Sequence, residues 1–263
     1  MAHPPEVTNM ALFCDFENIA LGVQDAKYEK FDIGKVLERL LLKGSIVVKK
    51  AYCDWERYKS FKAPMHEASF ELIEIPHVRQ SGKNSADIRM VVDALDLCYT
   101  KSHVETFVII SGDSDFSPLV SKLRENGKRL IGLGLRGSTS NLLVSNCDEF
   151  IFYETLTQHK EGRGTGGGLP KDRTEVLALV TGTVAALLRE GRDPIQASLV
   201  KDTIKRKQPS FSEGDHGFRS FTELLEEGQA QGLVVLRKDP RSRTYFVELA
   251  KPEAAPGGRA KRS

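Results

Sequence analysis

Phe107-Val108-Ile109-Ile110-Ser111-Gly112-Asp113-Ser114-Asp115-Phe116 is the stretch from which the fold of this chain is read. Four apolar residues, three of them β-branched, run straight into Ser-Gly and two aspartates, the pattern of a buried parallel strand with carboxylates at its C-terminal end. Open α/β sheets bind ligands at that edge. Gly112 suits a tight turn off the strand, and Ser114 or Asp115 can cap a helix beginning near Pro118. Two acidic side chains in so short a turn repel each other unless a cation, a proton or a basic partner lies between them. Helix capping alone is the competing reading, and it holds less well once a second such strand is found.

That second strand is Met10 to Cys14, followed by Asp15-Phe16-Glu17-Asn18. Further strands are expected at 45–52, 71–75, 129–133 and 149–153. Helices are expected at 32–42, 55–70 with a break at Pro64, 86–98, 117–126 and 140–145. In the helix over 86–98, Ile88, Val91, Val92, Leu95 and Cys98 form the apolar face. Strands alternating with helices define an α/β domain with a parallel sheet. In a common doubly wound order the first and fourth strands are neighbours and flank the topological switch point, so Asp15 and Asp113 open into one crevice. Asp87, at the start of the 86–98 helix, can face the same crevice, and Asp93 lies almost two turns further on.

Composition narrows the class. The chain has 263 residues, 40% hydrophobic and 28% charged, as in ordinary globular proteins. No apolar run approaches the roughly 20 residues of a membrane span. The opening Met1-Ala-His-Pro-Pro-Glu6 is not a signal peptide, so a cytoplasmic location is expected. Cys14, Cys53, Cys98 and Cys147 contain no CxxC pair and read as reduced core residues. Among the six histidines there is no HxxxH, so a zinc hydrolase signature is absent. The net charge of +2 divides into about −3 before His159 and about +5 from there on, an asymmetry that suits a basic C-terminal half meeting an anion.

Residues 158–170 are Gly-rich without apolar periodicity and read as a flexible linker. Beyond them, helices are expected over 172–189, 194–207 and 218–231, then two alternating strands within 233–249 joined by an Asp-Pro turn. Three helices and a hairpin outline a winged helix, here over 171–250. The Pro-, Gly- and Arg-containing tail, 251–263, is expected to be disordered. Lys201, Lys205, Arg206, Lys207, Arg219, Arg237, Lys238, Arg241 and Arg243 can meet phosphates.

Three or four carboxylates at one strand edge suit Mg²⁺ or Mn²⁺, which prefer oxygen ligands and keep several waters. Such an ion lowers the pKa of bound water and clamps phosphate oxygens, a route to phosphodiester hydrolysis.

At these residues the chain resembles a known family. Phe13-Cys-Asp15-Phe-Glu-Asn18, Lys83-Asn-Ser-Ala-Asp87 and Ser111-Gly-Asp113-Ser-Asp115-Phe116 with Pro118-Leu119 are similar to the motifs of NYN domains, the LabA-like branch of the PIN-like nuclease superfamily. The resemblance covers roughly residues 8–157. It implies a PIN-like fold and metal-dependent RNA cleavage, with Asp15, Asp87, Asp113 and Asp115 as the catalytic, metal-binding cluster and Asn18, Ser111 and Asp93 in support. Members commonly carry Lys-Gly before the middle aspartate, where this chain has Lys83-Asn-Ser-Ala, so its loop differs and the substrate contact of Lys83 with it. Residues 171–250 resemble an OST-HTH/LOTUS domain, which implies binding of RNA or of a protein partner.

The reading is therefore a metal-dependent ribonuclease, in all expectation an endonuclease, acting on single-stranded RNA recruited by the C-terminal domain. The alternative is a non-catalytic RNA-binding regulator. An aspartate-nucleophile phosphatase is set aside, because its second aspartate would fall where Glu17 stands. Gly132-Leu-Gly-Leu-Arg-Gly137 has GxGxxG spacing, but its first glycine lies inside a strand, which favours packing over a dinucleotide. Trp55 and Tyr58 are candidates for base stacking or for the core.

Overall fold

The computed structural model describes residues 8–28, 30–75, 85–157, 170–238 and 244–250, with side chains in the helix that begins at 170 described from residue 173. Lys83, Arg241, Arg243, most of the expected linker and the tail lie outside the described residues.

Six strands, β1 (Asn9–Asp15), β2 (Ser45–Cys53), β3 (Glu71–Glu74), β4 (Thr106–Ile110), β5 (Arg129–Gly134) and β6 (Glu149–Phe152), form one sheet in the order β3-β2-β1-β4-β5-β6. Every neighbouring pair is parallel. The helices of this unit are α1 (Phe16–Asp25), α2 (Ile33–Leu41), α3 (Lys59–Glu67), α4 (Ser85–Thr100), α5 (Ser117–Glu125), α6 (Asn141–Asn146) and α7 (Glu154–Thr157). Because helices cover both faces, the central strands are apolar throughout. Leu12, Cys14, Val108 and Ile110 turn to the core beneath α1–α3, whereas Ala11, Phe13, Phe107 and Ile109 turn to the core beneath α4–α6. Phe13 and Phe107 stack across the β1–β4 pair with centroids 5.9 Å apart.

The strand order is the doubly wound one, and it places the chain reversal between β1 and β4. Several local expectations need correction. Helix α1 was not expected, and α3 starts at Lys59, because 55–58 forms a turn. Trp55 is 1% exposed, packs on Phe16 and donates its indole N–H to the carbonyl of Ile73. It belongs to the core, not to a base-stacking surface. On α4 the buried residues are Met90, Ala94 and Cys98, while Ile88 and Val92 are exposed. The small Ala94 allows a close approach to the sheet, which sets the helix face against the more apolar stripe.

Gly132 and Gly134, in β5, are spent on packing. A Cβ on Gly132 would fall inside contact distance of the Phe150 ring and 2.9 Å from the Cys147 Sγ. Gly132→Ala is accordingly expected to lower stability by about 1–3 kcal/mol, read as an earlier urea midpoint.

The second unit comprises α8 (Pro170–Arg189), α9 (Ala197–Lys207), a 3-10 turn at Glu213–His216, α10 (Phe221–Ala230) and an antiparallel hairpin of β7 (Val234–Lys238) and β8 (Tyr245–Leu249). Val176, Val180 and Val184 of α8 meet Val200, Ile204, Leu224 and Val247 in a separate core. Gly191 closes α8 in the left-handed region with φ 72°, donating its N–H to the Leu188 carbonyl as Arg192 bonds Leu187, a termination that glycine favours. No helix among the described residues is long and apolar enough to cross a membrane.

Candidate active site

Asp15 is both the last residue of β1 and the N-cap of α1, with one carboxylate oxygen accepting from the Asn18 N–H at 3.3 Å. Its other oxygen accepts from the Ser111 hydroxyl at 3.0 Å. Ser111, 0% exposed at the end of β4, also accepts from the Asp113 N–H at 3.1 Å. Asn18 closes the circuit by accepting from the Gly112 N–H at 2.9 Å. The two strand ends are thus laced together across the switch point. Gly112 is needed there, since a Cβ would lie 2.5 Å from the Ser138 carbonyl oxygen. Asp113 continues the pattern by capping the following 3-10 turn, accepting from the Asp115 N–H at 2.9 Å.

Above this lattice lies a cleft of about 440 Å³ whose walls include Asp15, Asp87 and Asp113 together with Asn18. Asp87 arrives on the first turn of α4. Burial pushes the Asp15 carboxyl up to about 7, the charge of Asp87 adds to the rise, and the Ser111 and Asn18 hydrogen bonds oppose it. Burial likewise raises Asp87 to about 6, with Asp113, Asp115 and Glu17 contributing repulsion. These carboxylates feel one another, as like charges collected at one site must.

Asp115 is exposed and lies outside the cleft lining, although its charge reaches Asp87. Asp93 is turned elsewhere. It accepts from the Tyr52 hydroxyl at 2.9 Å, from Lys50 at 3.2 Å and from Arg89 at 3.0 Å. Burial would raise its pKa, but the hydrogen bonds from Tyr52 and Lys50 and the nearby cations hold it below the ordinary range. It fastens α4 to β2. Glu17, Asp54 and Arg57 also line the cleft, and none was singled out as a site residue. The parallel order was the available signal, because residues after β2 emerge beside the end of β1 at the same sheet edge. Cys14 and Cys53 are buried, and burial pushes both thiols up, away from reactive thiolates.

The acidic groups of the lining are carboxylates apart from the buried Cys53 thiol, and carboxylates are the donors that suit a hard divalent cation. Among the described residues, no three His, Cys, Asp or Glu side chains converge closely enough to hold one ion. Mg²⁺ commonly keeps several waters and binds through one or two carboxylates plus substrate phosphates, so the donor chemistry fits such an ion without a closed protein cage. The basic residues of the second unit are partly engaged: Lys201 pairs with Glu213 at 2.7 Å and Arg237 with Glu248 at 3.1 Å. Lys205 and Arg206 also have partners within the chain, and Arg219 is exposed.

A doubly wound parallel sheet with carboxylates gathered at its switch point defines the α/β class whose ligands bind at the strand ends. The chain belongs to the NYN domain family, which matches residues 9–154, more than half of its length. NYN domains fall in the PIN-like nuclease superfamily, a group of hydrolases that generally use divalent metals. An uncharacterized protein of Methanocaldococcus jannaschii is 29% identical over 120 residues, covering 46% of this chain and 47% of the relative. The chain thus matches about half the length of that relative. A protein of unknown function from Vibrio parahaemolyticus has a similar fold, with a TM-score of 0.52 and 22% identity over 59% of this chain and 98% of the other.

Proposed function

We propose that the chain is a metal-dependent ribonuclease that hydrolyses phosphodiester bonds of single-stranded RNA, by endonucleolytic cleavage, in the cleft between the ends of β1 and β4. The observation that carries this reading is the set of mutually repelling, partly buried carboxylates of Asp15, Asp87 and Asp113, with Asp15 held by Ser111 and the Asn18 N–H and Asp113 by the Asp115 N–H. Holding like charges together costs stability, and a bound cation offsets that cost. Asp15, Asp87 and Asp113 would hold Mg²⁺ or Mn²⁺, one or two of them directly and the rest through its waters, with Asp115 at the rim. When bound, the ion supplies an acidified water and neutralises phosphate charge. The chain itself contributes orientation: Ser111 and the Asn18 N–H fix the two Asp15 carboxylate oxygens, and Asp93 holds α4, and with it Asp87, against the sheet.

The second unit, in this proposal, is a winged helix of the OST-HTH/LOTUS type that recruits RNA, a reading supported by its three helices followed by an antiparallel hairpin. The absence of a convergent trio of ligands among the described residues favours a second reading, an RNA-binding regulator without catalysis. Incubating the full-length protein with labelled single-stranded RNA in Mn²⁺ or Mg²⁺, with and without chelator, separates the two. Cation-dependent cleavage supports the nuclease, whereas binding with no cleavage under any cation supports the regulator.

Recruitment has its own test. A protein ending at Leu156 is expected to fold and to cut a short unstructured RNA in Mn²⁺, because the six-stranded sheet has its own core. It should lose affinity for long RNA and show a flatter salt dependence, with log K changing by about 0.7 per lost phosphate contact per decade of salt. Full-length protein should then show the lower KM with kcat little changed. Identical binding and cutting of long RNA by both proteins across a salt series would instead assign the second unit to protein docking.

A further inference from the structure

The cleft is strongly one-sided in charge. Asp15, Glu17, Asp54, Asp87 and Asp113 bring five carboxylates to its walls, and among the described lining residues the one cation is Arg57. A phosphodiester entering this space meets repulsion from every acidic wall. One or two divalent ions relieve it at the reacting phosphate, but they do not hold the rest of the strand in register.

Arg57 stands where such a hold is useful. It lies in the turn that follows β2, where its N–H bonds the Asp54 carbonyl at 3.1 Å. Its Nη1 donates to a carboxylate oxygen of Glu17 at 3.1 Å, on the first turn of α1 and two residues from Asp15. The guanidinium side chain is 52% exposed and Glu17 38%. As a stabilising pair this contact contributes little, about 0–1 kcal/mol for exposed partners. As an orienting contact it does more: Glu17 occupies one edge of a planar five-donor group, and the remaining donors match the oxygens of a phosphate.

We propose that Arg57 is the phosphate-binding residue of this cleft, with Glu17 as the positioning residue that presents its guanidinium to an RNA backbone phosphate. The inference rests on the reading of the cleft as an RNA site and adds to it a named contact with the strand. The phosphate joins the guanidinium without displacing Glu17, so orientation is set before RNA arrives. Lysine at this position would keep the charge but not the two-pronged geometry.

The test uses the full-length protein and a labelled single-stranded RNA of about five nucleotides, short enough to occupy one groove. Binding is measured in chelator over a salt series, and cleavage is measured in Mn²⁺. Arg57→Ala is expected to weaken binding about 10-fold or more, to flatten the salt slope by about 0.7, and to raise KM with an unchanged melting temperature. Arg57→Lys should restore the slope and only part of the affinity. Glu17→Gln keeps an oxygen that can orient the guanidinium while removing a negative charge. Binding should therefore tighten a few-fold, and Arg57→Ala added to it should still weaken binding about 10-fold.

The outcomes separate this inference from the nuclease reading. If the wild type binds RNA in an Arg57-dependent way but cuts nothing in Mn²⁺ or Mg²⁺, the nuclease reading fails and the phosphate contact stands. If the wild type cuts RNA while Arg57→Ala keeps the same affinity, salt slope and KM, the phosphate contact is overturned and the nuclease reading stands. A wild type with no measurable affinity for the RNA, either in chelator or in Mn²⁺, overturns the contact as well.

Discussion

Replacing Asp113 with asparagine is expected to lower RNA cleavage by at least about 100-fold while leaving the chain folded. Asparagine retains the oxygen that accepts from the Asp115 N–H, so the 3-10 turn keeps its cap and α5 its starting point. What is lost is a full negative charge in the cleft. On the proposed reading that charge would draw a cation in and hold it close enough to acidify water, so cation affinity and the chemical step should both fall. The substitution also relieves repulsion on Asp87, and more weakly on Asp15, so both carboxyls should ionise at lower pH. Single-turnover cleavage in saturating Mn²⁺ reads the first effect, and a melting curve in chelator reads the second. Wild-type rates would remove Asp113 from the reaction, and a sharp loss of melting temperature would make it a structural cap instead.

Asp15→Asn should produce the largest effect on stability, with a sign that depends on pH. The folded pKa of Asp15 is raised from 3.8 to about 7 by burial and by neighbouring carboxylates. Between those values the folded chain keeps a proton that the unfolded chain releases, so the wild type loses stability as pH rises through this window. Below about pH 4 both states are protonated and no penalty exists. Above about pH 7 the penalty is complete, at most about 4 kcal/mol. Asparagine carries no charge, retains an oxygen for the Asn18 N–H and lets the Ser111 hydroxyl act as acceptor. In chelator, urea unfolding should therefore show the variant close to wild type at pH 4 and clearly more stable at pH 8. A difference that does not change with pH would show that the buried charge is not the cause. Adding Mn²⁺ at pH 8 should stabilise the wild type and leave the variant little changed.

The frame of the fold was legible because each central strand ends in chemistry. Met10–Cys14 and Phe107–Ile110 are apolar on both faces and lead into Asp15 directly and into Asp113 through Ser111-Gly112, and a common doubly wound order sets them side by side. The circuit through Ser111 and Asn18 followed from the family motifs more than from any spacing rule. Helix α1 was missed because Asp15 does two jobs: read as the acidic end of a strand, it concealed an N-cap followed by Phe16, Ile19 and Val23 at helical spacing. The face of α4 was misassigned in part: Cys98 is buried as expected and Val91 and Leu95 pack on the core, but Ile88 and Val92 are more hydrophobic than Ala94, which takes the buried place instead. Close packing rewards the small residue, and hydropathy alone does not register that.

Asp93 illustrates a different limit. Its position on the helix of Asp87 is visible in the sequence, but Lys50, Tyr52 and Arg89 meet it only when β2 and α4 pack. The same holds for Arg57, which comes to the cleft through the turn after β2 and has no motif of its own.

Cation binding in the cleft is the link on which the whole account depends, and titration of Mn²⁺ into the full-length protein, followed by the loss of the free-ion paramagnetic signal, tests it most directly. Saturable uptake by the wild type is expected at pH 7.5, with an affinity about 10-fold or more lower in both Asp15→Asn and Asp113→Asn. Uptake that never saturates, or that is equal in wild type and both variants, would contradict it.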